Sequence, residues 1–276
     1  MDIRDLVFQH IKKKKIRAAI TAMEDGVLCG VKKAEEKAEE IVLEFKAHKK
    51  DGDSIKKGDV ILTIEGTPKK ITLAEEKIIG CFCKTSGIAT AARRAKCLGG
   101  HRLKIVCGAW KKMPPPIKED LRAAISVGGV HYRISDLPFL YLDKNYVKIF
   151  KGVSEALKSV KRIEGRCKVI QLKSKGKILI KEALNAAREG ADIIMIDTGR
   201  KRDITAVNEA LIKNDLRERI KLAFGGGVKL RDIKELKMMN LDIIDIGREI
   251  VDAPLLDMRL DVTSQKRRSK KLYFNH

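Results

Sequence analysis

Three consecutive glycines, Gly225, Gly226 and Gly227, close the apolar run of "IKLAFGGGVKLRDI" just ahead of a helical segment. Glycine lets backbone N–H groups approach a ligand closely, and such groups at a helix start form a seat for phosphate. A tight strand-to-helix turn alone needs one glycine, not three. A second turn of this kind lies in "DIGREI", where Gly247 precedes Arg248 at the start of the next helix. Asp197 ends the otherwise apolar "IIMID". A carboxylate in that place caps the helix that follows, or else binds a sugar hydroxyl or a magnesium ion.

The cations stand on other turns. In "GAWKKMPPP" the only tryptophan, Trp110, precedes Lys111 and Lys112, and Pro114, Pro115 and Pro116 stiffen the loop. Lys111 is the candidate seat for an anion; Lys112 reads equally as a solvated side chain. "SVGGVHYRISD" supplies His131, Tyr132 and Arg133. The guanidinium fork of Arg133 suits a carboxylate or phosphate, whereas a lone His131 is more often a surface or capping residue than a catalyst. Lys144 follows Asp143 in "LDKNYV".

These residues need strands to carry them. From about residue 103 to 250, six short apolar runs ("LKIVCGA", "LPFLYLD", "KVIQL", "DIIMID", "IKLAFG", "LDIIDIG") alternate with helical segments. They do not alternate apolar and polar, as expected of parallel strands buried on both faces. The even repeat, with polar residues at strand ends, predicts an α/β fold with a closed or nearly closed parallel barrel, whose ligands sit at the carboxyl ends of the strands. Residues 1–102 read as a separate α/β sandwich domain and 103–252 as the barrel; 253–262 form a strand returning to the first domain, and 263–276 a basic tail. Within the first domain the patterns predict a helical stretch at 2–15, a strand in "IRAAITA" and an amphipathic helix across "VKKAEEKAEEIVLEFKAH". Turns at Gly52 and Gly58 and a long helical region from Leu73 to Leu98 follow.

With 276 residues, 44% of them hydrophobic, the chain is long enough to bury a sizeable core. No apolar run approaches a membrane span and the charged start lacks a signal-peptide core, so a cytoplasmic protein is expected. The six cysteines form no C-x-x-C pair and read as reduced thiols. The net charge of +22 attracts polyanions, phosphorylated metabolites included. Growth at high temperature is the blander reading, but it enriches Glu along with Lys and does not account for the imbalance; part of the excess sits in the tail "TSQKRRSKKLYFNH", which offers a place for nucleic acid. An aromatic content of 4% argues against the base-stacking platforms of single-strand binders.

The order of "DGDSIKKGDVILTIEG", "AEEKIIGCFCKTSGIATAARRA", "KKMPPP", "GGVHYRI", "LDKNYV", "IIMIDTG", "FGGG" and "DIIDIG" resembles the quinolinate phosphoribosyltransferase family over about residues 15 to 262. The resemblance implies a sandwich domain plus an incomplete barrel, in a homodimer or higher homo-oligomer whose sites the neighbouring subunit completes. It also implies transfer of phosphoribose from phosphoribosyl pyrophosphate, with Mg2+, to a pyridine dicarboxylate. On that basis Gly225, Gly226, Gly227, Gly247 and Arg248 hold phosphate, and Lys111, Arg133 and Asp197 serve the reaction, Asp197 also as the metal ligand. Trp110, Lys112, His131, Tyr132 and Lys144 flank the acceptor.

Several positions depart from the family pattern. Glu76 stands for an arginine that reaches into the partner's site, Trp110 for the arginine of an "RKT" loop, Tyr132 for a histidine, and Asp143 for a lysine. Ile170 or Gln171 replaces a glutamate, Thr198 an asparagine, and serines before the glycine turn are missing. The losses fall on groups that hold two carboxylates. The expected activity is therefore phosphoribosyl transfer to an altered heterocyclic acceptor, with quinolinate a poor one. The alternatives are a non-catalytic paralogue that binds a phosphorylated ligand or partner, and a basic RNA-binding protein on the same scaffold.

Overall fold

The computed structural model describes residues 2–263; the predicted basic tail, from residue 264 on, lies outside the described residues. The chain divides into two compact units, one running to Gly87 and resuming at Pro254, the other Ile88–Ala253. In the first, β1 (Ile16–Ala22) is followed by the short β2 (Gly26–Val27), β3 (Glu44–Ala47), β4 (Ser54–Ile55) and β5 (Val60–Gly66). The sheet is antiparallel, with β1 and β5 at its centre. Ile20, Leu62, Ile64 and Phe82 form its core together with Ile71 and Ala74 of the helix Pro68–Lys77.

Two expectations for this unit are corrected. The helix predicted across 31–48 stops at Glu40; Val42 has φ of 56°, and Glu44–Ala47 becomes β3, paired with β5. The run "IVLEF" holds β-branched and aromatic residues that suit a pleated surface, and the Phe45–Ile64 pairing overrides the helical period. The helix at 2–15 shortens to Ile3–Val7, because Lys12–Lys15 bring like charges one turn apart.

The second unit is the predicted incomplete barrel. β6 (Lys104–Val106), β7 (Phe139–Leu142), β8 (Cys167–Leu172), β9 (Ile193–Ile196), β10 (Lys221–Phe224) and β11 (Ile243–Asp245) all run parallel. Their order is β6-β11-β10-β9-β8-β7, so β7 to β11 each lie beside their sequence neighbours and β6, the first, pairs with β11, the last. A doubly wound sheet would reverse direction in the middle; this one curls, and β6 and β7 stay unpaired, with only the bridge Val106–His131 formed on the other edge of β6. Ile193 to Ile196 are buried without exception, as a strand covered on both faces requires. β12 (Met258–Val262) then pairs antiparallel with β1.

Candidate active site

The pleat decides what enters the barrel. Val169, Ile193, Met195, Ala223 and Ile243 share one apolar cluster inside the curled sheet. Side chains two residues further along a strand face the same way, so Gln171 and Asp197 follow Val169 and Met195, and Asp245 follows Ile243. They line a cavity of about 1390 Å³ at the carboxyl ends of the strands. Trp110, Lys111, Lys112, Tyr132, Arg133, Lys144, Gly226, Gly227, Gly247 and Arg248 line the same cavity. His131 does not; its Nδ1 lies 3.3 Å from Asp136 Oδ1 and its backbone bridges to β6. Gly225 is buried beneath the turn, where its carbonyl accepts from Gly199 N–H at 3.1 Å.

Asp197 does not cap the following helix. Its Oδ2 accepts from Gln171 Nε2 at 2.6 Å and pairs with Lys173 Nζ at 2.9 Å. Its Oδ1 points at the glycine turn: a Cβ on Gly225 would lie 3.5 Å from this oxygen and 3.6 Å from Asp245 Cβ. The bare Cα of Gly225 thus faces Asp197 Oδ1, Met195 Sδ and the Cβ of Asp245. Asp245 Oδ1 accepts from the Gly108 N–H at 3.0 Å. Burial pushes the Asp245 carboxyl above the usual range; the charge of Asp197 adds to this, while the Gly108 N–H, Lys111 and Lys112 oppose it. Burial and the charges of Asp245, Asp197 and Asp143 likewise push the Tyr141 hydroxyl up, which keeps it protonated.

Gly226 and Gly227 have φ of 97° and 94°, a region that favours glycine. At Gly226 a Cβ would stand 2.5 Å from Gly199 N, so this turn is fixed by packing; at Gly227 it would meet nothing. The open backbone at Gly227 and the turn at Gly247 both line the cavity.

On the opposite side the cations rest on aromatic faces. Lys111 Nζ is 5.4 Å from the Tyr141 ring centre and Arg133 Cζ 5.3 Å from that of Phe139. Asp143 caps the helix Lys144–Ile149 through the Asn145 and Tyr146 N–H groups, and the Lys144 N–H donates to Gln171 Oε1 at 3.1 Å. Of the two candidates for the missing glutamate, Gln171 faces the cavity and Ile170 is fully buried. Glu76 is exposed and paired with Arg4.

Sequence reasoning missed Lys173, Asp245, Tyr141 and Arg122. The first two were within reach by counting in steps of two, from Val169 through Gln171 and from Ile243. Arg122 projects from the helix Lys118–Val127, and nothing in the linear pattern marks its side chain as facing the cavity.

The carboxyl ends of the curled parallel barrel thus gather glycine turns, cations and an inward carboxylate in one cavity. The sequence profile of the quinolinate phosphoribosyl transferase C-terminal domain matches residues 88–261, and that of the N-terminal domain matches residues 5–86. The chain belongs to this family. It is 32% identical over 257 residues to a probable nicotinate-nucleotide pyrophosphorylase (carboxylating) of Archaeoglobus fulgidus, covering 91% of this chain and 96% of that protein. Against the nicotinate-nucleotide pyrophosphorylase of Rattus norvegicus the identity is 25% over 215 residues, 74% of this chain and 68% of the relative. The crystal structure of the Ehrlichia chaffeensis nicotinate-nucleotide pyrophosphorylase superposes with a TM-score of 0.81 at 20% identity, covering 95% and 92% of the two chains. The Pyrococcus furiosus structure gives 0.79 at 22% identity, over 95% and 74%. No helix among the described residues is long and apolar enough to cross a membrane.

Proposed function

We propose that this protein transfers phosphoribose from phosphoribosyl pyrophosphate to the ring nitrogen of a heteroaromatic acceptor that is not quinolinate. The bond from C1′ to the pyrophosphate oxygen breaks, its electrons leave with pyrophosphate, and a C1′–N bond forms. The observation that carries this reading is the placement of Asp197 between the Gly225–Gly227 turn and the lysines of one cavity. Backbone N–H groups at Gly227 and Gly247 suit the 5′-phosphate. Lys111, Arg133 and Arg248 suit the charge of the diphosphate, and Asp197 stands where positive charge would develop on the ribose.

Among the described residues no group of three or more His, Cys, Asp or Glu side chains forms a metal site. Magnesium commonly binds through one or two carboxylates plus substrate phosphates, and the free Oδ1 of Asp197 fits that role beside the donor. When bound, the ion would neutralise charge on the leaving pyrophosphate.

The family resemblance supports a homodimer or higher homo-oligomer, which sedimentation checks. The reading is tested by following pyrophosphate release from phosphoribosyl pyrophosphate with magnesium and a panel of pyridine acids, their amides and other heterocycles. Turnover that Asp197→Asn lowers by roughly 100-fold or more supports it. Tight donor binding with no turnover on any acceptor supports a non-catalytic paralogue instead.

A further inference from the structure

Trp110 and Tyr132 meet edge to face, their ring centres 6.2 Å apart at 79°. Arg122 sits against both, its Cζ 4.9 Å from the Trp110 ring centre and 5.9 Å from that of Tyr132. The indole N–H is occupied by the Tyr132 carbonyl at 2.9 Å. The two rings therefore meet the guanidinium as π faces or edges, and no hydrogen bond from it to either ring residue is formed among the described residues. Its Nε is buried and has no partner among the described residues. One Nη pairs with Glu119, but that side chain is 81% exposed, and exposed pairs of this kind contribute little.

A guanidinium nitrogen buried without an acceptor is costly, and because Arg122 lines the cavity, an anion bound there would compensate the charge by pairing with its accessible N–H groups. The resemblance places an arginine where this chain has Trp110. Here the indole fills the place and a guanidinium reaches it from the next helix. Lys111 and Arg133 repeat the arrangement on Tyr141 and Phe139, and among the described residues neither enters a salt bridge. Cations held by ring faces keep their N–H donors free for a ligand.

We infer that Arg122 is the acceptor-reading cation of this site. Backed by Trp110, it receives the single ring carboxylate of a flat heteroaromatic acid. The inference rests on the phosphoribosyl-transfer reading above. Arg122 is a specificity residue, and the donor is held by other groups: the glycine turns, Lys111, Arg133 and Arg248.

Trp110 is the only tryptophan, so its emission reports directly on this corner of the cavity. The full chain, with magnesium and inorganic pyrophosphate present, is titrated with a pyridine monocarboxylate and with its neutral amide. The acid is expected to bind roughly 10- to 100-fold tighter, as a charged hydrogen bond implies. Arg122→Met should reduce that ratio to within about threefold and leave KM for phosphoribosyl pyrophosphate within about threefold. Arg122→Lys keeps the charge but not the fork, and should retain an intermediate preference. If Arg122→Met does not fold, Arg122→Lys decides alone: an undiminished acid preference overturns the inference. An acid preference that survives Arg122→Met overturns it too, as does a donor KM that rises while the preference stays. In those cases wild-type pyrophosphate release shows that the transferase reading stands by itself. Failure of the wild-type protein to bind donor or release pyrophosphate overturns both.

Discussion

Gln171 Nε2 donates to Asp197 Oδ2 over 2.6 Å, joining two neighbouring parallel strands at the mouth of the barrel. The amide holds one carboxylate oxygen still, and Lys173 pairs with that same oxygen. Oδ1 is left facing the glycine turn, which is the orientation the proposed chemistry needs.

Gln171→Glu replaces the amide by a second carboxylate in hydrogen-bond contact with Asp197. Like charges that close repel, and the new carboxylate accepts where the amide donated, so Asp197 loses the contact that orients it. Turnover should fall by roughly tenfold or more; unchanged turnover would show that the Gln171–Asp197 contact does not serve the reaction.

The two glycine turns should respond differently to substitution. Gly226→Ala forces a side chain at φ of 97° against Gly199 N, 2.5 Å away, and should lower stability by about 1–3 kcal/mol. Gly247 has φ of −89° and a Cβ there would meet only Ala109 Cβ, at 3.1 Å. Gly247→Val should therefore weaken phosphate binding by about tenfold or more while costing less in melting temperature than Gly226→Ala. Calorimetry with inorganic phosphate and a thermal melt separate the two.

Asp245 gives a pH signature in stability. Its folded-state pKa is raised by burial, so the folded protein holds a proton that the unfolded chain releases. Stability contributed by that proton is present below the unfolded pKa and is lost as pH rises through the folded value. Asp245→Asn keeps an acceptor for the Gly108 N–H and removes the buried charge. The variant should melt higher than wild type at neutral pH, and the gap should close in acid. A lower melting temperature at neutral pH would mean that Lys111 and Lys112 stabilise the ionised form.

Burial pushes the Cys107 thiol up to about 12, whereas Cys97 is exposed. The thiolate is the reactive species, so iodoacetamide at pH 8 should label Cys97 well before Cys107. Peptide mapping of a time course reads the order.

The barrel was legible in the sequence because its strands are short, apolar and evenly spaced, and because Asp197 and the glycines interrupt that pattern at strand ends. Lys111, Arg133 and Asp197 do meet in one cavity, as their positions on those ends imply. The helix assigned across 31–48 failed because pairing of Phe45 with Ile64, distant in sequence, outweighed a local period. His131 was placed at the acceptor by its motif, yet its backbone completes the gap beside β6 and its ring turns to Asp136. Arg122 was missed because its role depends on Trp110 and Tyr132 arriving from other loops, a relation no linear spacing records.

The acceptor side of the cavity departs from the family at its cations. Glu76 and Trp110 stand where the family resemblance places arginines, and Arg122 supplies only one guanidinium in return. The uncompensated cation should cost a dicarboxylate about 1.5–3 kcal/mol, or roughly 10- to 100-fold. Pyrophosphate release is measured with quinolinate and with a pyridine monocarboxylate at identical donor and magnesium concentrations. The kcat/KM for quinolinate should lie at least about tenfold below that for the monoacid. Quinolinate turnover near an ordinary kcat of about 10 s⁻¹, with a kcat/KM above that of every monoacid and amide, would contradict it.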